Sequence, residues 1–296
     1  MLQSKALEKV HRRPSLLGEV RRTMTAKHYA RRTEEAYVSW IRRYLRFHGM
    51  RHPREMGVEE INRFLSHLAT SGGVSSSTQN QALSALLFLY RHVLEQPLPR
   101  IDDIVRARRP RRLPVVLSVA EVSSVLARMD GVPRLVCSLL YGAGVRLLEC
   151  LRLRVQDVDF DTGQIVVRRP KGRWARTTIL PVALEPELRG RVEASRRLLD
   201  EDLAAGRPGV SLPEAIARKY RSAPLQPAWQ YLFPAPELSR DPRSGQRLRH
   251  HLHESVVQRA MTRAVREAGI QKHATCHTLR HSFATHLLQS LSALQD

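Results

Sequence analysis

The sequence has little that would hold it in a membrane or stabilise it outside a cell. No apolar run approaches the roughly 18 residues of a membrane-spanning helix, and the start, MLQSKALEKVHRRP, has no apolar segment typical of a secretion signal. Only three cysteines occur, at positions 137, 150 and 276, and no two form a CxxC pair. This supports neither a disulfide framework nor a zinc ribbon. We expect a soluble intracellular protein.

Acidic residues and lysines are both scarce relative to arginine. The chain has 28 Asp and Glu residues against 49 Lys and Arg residues, only six of them lysine, and its formal net charge is +21. Hydrophobic residues still make up 42% of the 296 residues, which is enough for folded cores. The basic excess predicts a polyanionic partner, and nucleic acid is the obvious candidate because Arg and Lys displace counterions from phosphates.

The first hundred residues predict an N-terminal helical domain over 14–96. Its helices are expected at about 16–28, 33–48, 58–70 and 76–95. In the second helix, aromatic and apolar residues recur at helical spacing: Tyr37, Trp40, Ile41 and Tyr44. Arg42 and Arg43 lie between them, so the pattern predicts an apolar core face and a basic, DNA-binding face. The alternative is an ordinary solvated surface.

Residues 97–116, which include PLPRIDDIVRARRPRRLP, predict a basic interdomain linker. The prolines at 97, 99, 110 and 114 argue against a continuous helix. Arg109, Arg111 and Arg112 suit a strap lying along a phosphate backbone.

The remaining residues, 117–296, predict a second domain that opens with a capping box at Ser118 and Glu121. Further helices are expected at about 132–153, 183–205, 211–219, 253–269 and 276–289. Two short strands, 164–168 and 177–180, are expected to pair through a turn at 170–174, and 223–245 reads as irregular. The predicted fold class is mainly α with a small antiparallel β-sheet.

Two residues of this domain are placed where they could reach a ligand. Gly142 and Gly144 break the helical pattern just before Arg146, so this arginine could project from a helix start into a cleft. Lys171 lies at the tip of the predicted hairpin. The alternatives are an ordinary surface arginine and an ordinary turn lysine.

The segment 277–281 carries the strongest pattern, because residues three and four apart share one face of a helix. That spacing brings His277, Arg280 and His281 together. An arginine fork with an imidazole suits phosphoryl transfer, which needs charge stabilisation and a group that handles a proton.

Metal chemistry is disfavoured at both histidine clusters. Thr278 replaces the glutamate of the HExxH zinc pattern. The cluster of His250, His251 and His253 fits a basic groove face better than a metal site. A metal-dependent nuclease would need a cluster of carboxylates near residues 277–281, and none is visible.

Three motifs of the second domain resemble the signature of the tyrosine recombinases: HTLRHSFATHLL at 277–288, GAGVRLLECLRL at 142–153 and PKGRWARTTILP at 170–181. They resemble the second box, the first box and the strand pair that carries the catalytic lysine. Within that family the chain resembles an integron integrase, because 212–251 is similar to the extra segment of those enzymes, an insertion at about 208–252. The stretch YARRTEEAYVSWIRRYLRFHG resembles their DNA-clamping domain.

The resemblance implies an N-terminal core-binding, SAM-like domain and an α+β catalytic domain that together clamp DNA. It implies site-specific recombination of gene cassettes, without a metal or other cofactor. The implied partners are a double-stranded attachment site, a folded single-stranded cassette site and further copies of the chain, with a tetramer in the intact family. It also implies a bacterial, cytoplasmic, nucleoid-associated location and no membrane.

The resemblance assigns roles by position. Those that match catalytic residues are Arg146, Lys171, His277 and Arg280. Lys171 is implied to be the general acid that protonates the leaving 5′ oxygen. Glu149 matches an acidic residue that supports the arginines, and we expect His281 to support the site as well.

The insertion is implied to contact bases flipped out of the single-stranded site, through Trp229, His250 and His251. The physics agrees, since an indole stacks on any unstacked base, and imidazoles can stack or hydrogen-bond. Ordinary core packing is the alternative for Trp229.

The sequence departs from the family after the second box. The family's nucleophilic tyrosine and its preceding LGH-type motif have no counterpart, since the seven tyrosines are at 29, 37, 44, 90, 141, 220 and 231. We expect a C-terminally truncated recombinase that binds DNA without cleaving it, because no phosphotyrosine intermediate can form. The alternative is an inactive DNA-binding protein that occupies recombination sites or competes with an intact integrase.

Overall fold

The computed structural model describes residues 15–96, 98, 113–168, 175–241 and 245–293. The chain divides into two compact units, Met1–Arg112 and Leu113–Asp296. Within the described ranges, no helix has both the length and the apolar composition that crossing a membrane requires.

Residues 15–96 of the N-terminal unit form a helical domain. Its α-helices are α1 (Leu16–Ala26), α2 (Arg31–Phe47), α3 (Val58–Thr70) and α4 (Ser76–Phe88). The predicted core face of α2 is confirmed for Trp40, Ile41 and Tyr44, which are buried, whereas Tyr37 is half-buried. Apolar residues of all four helices meet in one cluster, so this unit has a core of its own.

The helix predicted at about 76–95 is confirmed through Val93, but its last turn is π-helical instead of α-helical. After α4 the chain takes a π-helical turn, Leu89–Val93, in which Leu94 N–H donates to the Leu89 carbonyl at 3.0 Å. The turn contains Tyr90, whose buried hydroxyl donates to the carbonyls of Pro53 and Met56 at 3.0 and 3.1 Å. Pro53 and Met56 are far from Tyr90 in the sequence, so helical periodicity cannot predict these contacts.

The second unit is also mainly helical. Its helices are α5 (Val119–Leu126), α6 (Gly131–Gly142), α7 (Leu147–Leu151), α8 (Glu185–Ala204), α9 (Glu214–Lys219), α10 (Glu254–Glu267) and α11 (Cys276–Ser292). The buried α6 packs against α10 and α11 in the core of the unit. The predicted break before Arg146 is confirmed, because α6 ends at Gly142 and α7 begins at Leu147.

Two small antiparallel sheets complete the unit. The first has strands β1 (Val158–Asp159), β2 (Gln164–Val167) and β3 (Arg176–Ile179), in that order, and contains the predicted hairpin. The second pairs β4 (Pro234–Arg240) with β5 (Arg247–His251). The predicted fold class, mainly helical with a small antiparallel sheet, is confirmed.

The prediction of an irregular segment over 223–245 was wrong where β4 forms. The sequence PAPELSR has two prolines and no alternation of apolar and polar residues, so it lacks the usual signal of a strand. Each strand of a two-stranded sheet is an edge strand with one neighbour. A proline can be accommodated there, because its missing N–H is not needed to bond a second strand. The pairing also shifts register between Pro234 and Leu238.

A buried ion pair attaches the second sheet to α8. The Arg249 guanidinium on β5 donates to both oxygens of Asp202, through Nη2 at 2.6 Å and through Nε. Arg249 also donates to the carbonyls of Ala235 and Pro236 on β4. Both charged side chains are about 95% buried. Burial alone would raise the pKa of Asp202, but hydrogen bonds from Arg249 and Arg207 outweigh it and hold this pKa below its usual range.

Substituting Asp202→Ala should destabilise the unit by about 3–5 kcal/mol, because it leaves the Arg249 charge buried without its partner. The matched control is Arg207→Ala, which removes a half-exposed arginine from the same carboxylate at 3.1 Å and should cost less than about 1 kcal/mol. Urea unfolding of both variants measures the difference. Similar losses in the two variants would contradict the anchoring role of the pair.

Candidate active site

The loop between α6 and α7 joins three elements of the site. Gly144 has φ +62°, and a Cβ there would lie 2.5 Å from the ring of Phe283 on α11. The Gly144 carbonyl accepts a hydrogen bond from the Arg280 guanidinium, also on α11. The neighbouring Ala143 carbonyl accepts one from the Thr178 hydroxyl on β3 at 2.8 Å. The loop therefore holds α11 and β3 beside the start of α7, where Arg146 lies.

A single carboxylate, that of Glu149, organises the charged side chains there. Glu149 Oε2 accepts the backbone N–H of Arg146 at 3.0 Å, which caps α7. Its Oε1 accepts Arg146 Nη1 at 2.8 Å, and Oε2 accepts Arg176 Nη2 at 2.8 Å. Arg280 Nη1 lies 3.8 Å from the same Oε2. We call Arg146, Glu149, Arg176 and Arg280 the arginine cluster.

The arginine cluster holds three positive charges and one negative charge. Burial alone would raise the pKa of Glu149, but the hydrogen bonds and charges of Arg146 and Arg176 outweigh it and hold the pKa below its usual range. The carboxylate is thus ionised at neutral pH. Glu149 is 13% exposed, whereas Arg146 is 52% exposed. Arg146 therefore faces solvent, and Arg176 and Arg280 are half-buried beside a mostly buried carboxylate, an arrangement that suits an anion with several oxygens.

A neutral imidazole stands beside these charges. His277 lies in the first turn of α11 and contacts His281 edge to face, with ring centroids 4.7 Å apart. Burial lowers the pKa of His277, and the nearby His281, Arg280 and Arg146 lower it further. At pH 7 the ring can therefore both donate and accept a hydrogen bond.

The structure thus brings together Arg146, Glu149, His277 and Arg280, with His281 against His277. Sequence reasoning missed Arg176, which is one of four arginines in the stretch RRPKGRWAR. Composition does not distinguish Arg176 from the other three arginines. Only its contact with Glu149 in the structure distinguishes it. Lys171 lies outside the described residues.

The expected base-contacting residues form a second group in the insertion. Trp229 is half-buried, and its carbonyl accepts a hydrogen bond from Arg154 Nη1. The Arg154 guanidinium lies 4.1 Å from the centroid of the Tyr231 ring. On Tyr231 the ring of His250 stacks, at 5.7 Å and 27°, and His251 contacts both. Sequence reasoning missed Arg154 and Tyr231.

The two histidines of this group are neutral rather than basic. Burial lowers the pKa of His250 to about 4, with help from the charges of His251, Arg152 and Arg154. The pKa of His251 is lowered as well, again mainly by burial. Burial therefore keeps these two imidazoles neutral, and the expected basic groove face stays a prediction. The positive charge comes from Arg154 beneath them.

The expected basic face of α2 is exposed. Arg42 and Arg43 face solvent, and the Arg43 guanidinium lies 4.4 Å from the centroid of the Trp40 ring. Arg109, Arg111 and Arg112 lie outside the described residues. Among the residues that the structure describes, no group of three His, Cys, Asp or Glu side chains is placed to hold a metal ion.

Two sequence families match the chain. One, described as the N-terminal SAM-like domain of phage integrase, matches residues 16–100, and the phage integrase family matches residues 116–295. A protein named Integrase/recombinase from Escherichia coli is 49% identical over 275 residues, which cover 93% of this chain and 82% of that protein. Tyrosine recombinase XerA from Thermococcus kodakarensis is 31% identical over 271 residues, covering 89% and 79%.

Two solved structures share the fold at low sequence identity. XerH site-specific recombinase bound to its difH substrate has a TM-score of 0.58 and 18% identity, and the match covers 94% of this chain and 75% of that one. A lambda integrase tetramer bound to a Holliday junction has a TM-score of 0.60 and 14% identity, covering 91% and 68%.

Substituting Gly144→Ala should destabilise the second unit by about 2–4 kcal/mol, because the added Cβ meets Phe283 and the positive φ strains any other residue. The control is Gly190→Ala in the middle of α8, where a Cβ meets no atom within 4 Å. That change should stabilise by about 0.5–1 kcal/mol through helix propensity. We expect Gly144→Ala to lower the urea midpoint and Gly190→Ala to raise it. An unchanged midpoint for Gly144→Ala would argue against the close packing of this loop.

The His277 imidazole should titrate below its usual pKa of about 6.5. Replacing Arg280→Ala should raise the midpoint, since it removes a nearby positive charge. Replacing Arg259→Ala, an exposed arginine of α10, should leave it unchanged. Histidine-selective NMR of the chain measures all three midpoints. A His277 midpoint that did not respond to Arg280→Ala would place the ring outside the field of the arginine cluster.

Proposed function

This chain belongs to the phage integrase family of tyrosine recombinases, and from that premise we propose that its arginine cluster binds the scissile phosphate of an integron recombination site. The observation that carries the proposal is the convergence of three guanidinium groups on Glu149, next to the neutral imidazole of His277. Guanidinium groups bind phosphate oxygens through paired hydrogen bonds, and they retain their charge at any physiological pH.

Each side chain has a role in this proposal. Arg146 and Arg280 bind the non-bridging oxygens of the phosphate, where in the family reaction they would also stabilise the charge that develops during strand cleavage. Glu149 keeps both arginines in place, and His277 hydrogen-bonds to the phosphate as a neutral ring. The resemblance of its hairpin to the family's strand pair supports Lys171 as the group that would protonate the leaving 5′ oxygen in the family reaction, once a nucleophile has attacked the phosphate.

The integron part of the proposal rests on the insertion. Arg154, Tyr231 and His250 form a stack whose histidine is neutral, and the backbone carbonyl of the half-buried Trp229 accepts a hydrogen bond from Arg154. A base that has left the DNA stack gains about 1–3 kcal/mol from stacking on an aromatic side chain, whatever its identity. We propose that this group holds flipped bases of a folded single-stranded cassette site, while Arg42 and Arg43 bind the phosphate backbone.

The covalent step requires a nucleophile that these 296 residues do not offer after the second box. No tyrosine follows Arg280 in the sequence. Tyr141 precedes the first box, and its half-buried hydroxyl hydrogen-bonds to His286 Nδ1 at 2.9 Å. We therefore propose that these 296 residues bind recombination sites of bacterial DNA in the nucleoid without cleaving them.

Copies of the chain are proposed to assemble on DNA. The support is the tetramer of the lambda integrase structure, whose fold the chain shares.

A suicide substrate separates binding from cleavage. We expect a labelled bottom-strand recombination site, nicked beside the scissile phosphate, to shift in a native gel at low salt. After denaturation, no protein should remain attached to the DNA. Binding should fall steeply with salt, because phosphate contacts release counterions.

The other outcomes are equally informative. A covalent band, mapped by mass spectrometry to a tyrosine, would overturn the proposed lack of cleavage while supporting the family reaction. A shift that is equally strong on unrelated DNA of the same length would reject the recombination site as the target. Absence of any shift would reject DNA binding itself.

A further inference from the structure

We propose that Arg176 is a third phosphate-binding arginine of the site, which contacts the same phosphate as Arg146 and Arg280. The inference rests on the proposed function and extends it to a residue on β3. The juxtaposition that carries it is the convergence of three guanidinium groups, from three separate elements, on the two oxygens of one carboxylate.

The pairing of β3 within its sheet sets the position of Arg176. It is the first residue of β3, paired with Val167 of β2. Two residues further along the strand, the Thr178 hydroxyl bonds to the Ala143 carbonyl at 2.8 Å, which ties β3 to the loop before Arg146. The strand thus brings Arg176 to Glu149, whose Oε2 accepts its Nη2 at 2.8 Å.

A purely structural ion pair does not account for the arrangement. Arg146 alone already engages both oxygens of Glu149, one through its backbone N–H and one through its side chain. Arg176 and Arg280 add two positive charges that this carboxylate cannot balance, and like charges within a few ångströms repel. An anion between the guanidinium groups relieves that repulsion, and it also finds donors that Glu149 does not occupy.

Arg176 has donors to offer. A guanidinium carries five N–H groups, and within the described ranges Glu149 is the acceptor that contacts this one. Its side chain is 33% exposed, compared with 28% for Arg280. The two arginines therefore share a similar position at the edge of the mostly buried carboxylate.

The test is a thermodynamic cycle between the side chain and the phosphate. Binding is measured for an integron attachment-site duplex with its natural scissile phosphate and for the same duplex with one neutral methylphosphonate there. We expect the full chain to lose about tenfold in affinity on neutralisation, the equivalent of one charge-assisted hydrogen bond. The Arg176→Ala variant should lose less than about threefold in affinity on the same neutralisation, because one of the contacts to the phosphate charge is already absent.

The matched control is Arg168→Ala. Arg168 directly follows β2 on the same hairpin, is 51% exposed and pairs with Asp157 instead of Glu149. It should retain the full tenfold sensitivity. A second variant, Arg176→Gln, keeps a donor toward Glu149 but removes the charge, and should behave like Arg176→Ala even if the alanine variant folds poorly.

The outcomes distinguish this inference from the function on which it rests. If Arg176→Ala and Arg176→Gln keep the full sensitivity of the unmodified chain, Arg176 supports Glu149 only and the inference is overturned. If the unmodified chain itself is insensitive to the methylphosphonate, the proposed phosphate site is wrong. Reduced sensitivity in both Arg176 variants but not in Arg168→Ala supports the inference.

Discussion

The Glu149 carboxylate is the interaction on which the candidate site depends. It caps α7 through the Arg146 backbone, orients the Arg146 side chain, and binds Arg176 while standing close to Arg280. Without a negative charge beneath them, three guanidinium groups would repel one another and disperse into solvent. With it, they form a surface that remains positive overall, and little reorganisation is needed for this surface to accept a phosphate group.

Backbone geometry makes this convergence possible. Gly144 allows α11 to approach the loop between α6 and α7 so closely that a Cβ would collide with Phe283. The carbonyls of Ala143 and Gly144 then receive Thr178 and Arg280. One short loop thus holds the elements that carry the cluster, and a change at a residue that touches no substrate can still displace the charged groups.

The two polar centres of the second unit use burial in opposite ways. At Glu149, hydrogen bonds and charges outweigh burial and keep the carboxylate ionised. At His250, burial prevails and keeps the imidazole neutral. The first arrangement suits a phosphate, and the second suits the flat face of a base. The proposed phosphate site and the proposed base-stacking group are therefore built from different residues of one unit.

The sequence by itself determined the helical fold class, the break before Arg146 and the common face of His277 and Arg280, because each depends on local periodicity or on glycine. Tertiary structure alone decided the rest. Arg176 acquires its place only by meeting Glu149, β4 forms only because β5 pairs with it, and the turn at Tyr90 follows hydroxyl contacts with Pro53 and Met56. Each of these depends on partners far apart in the chain, which local pattern does not encode.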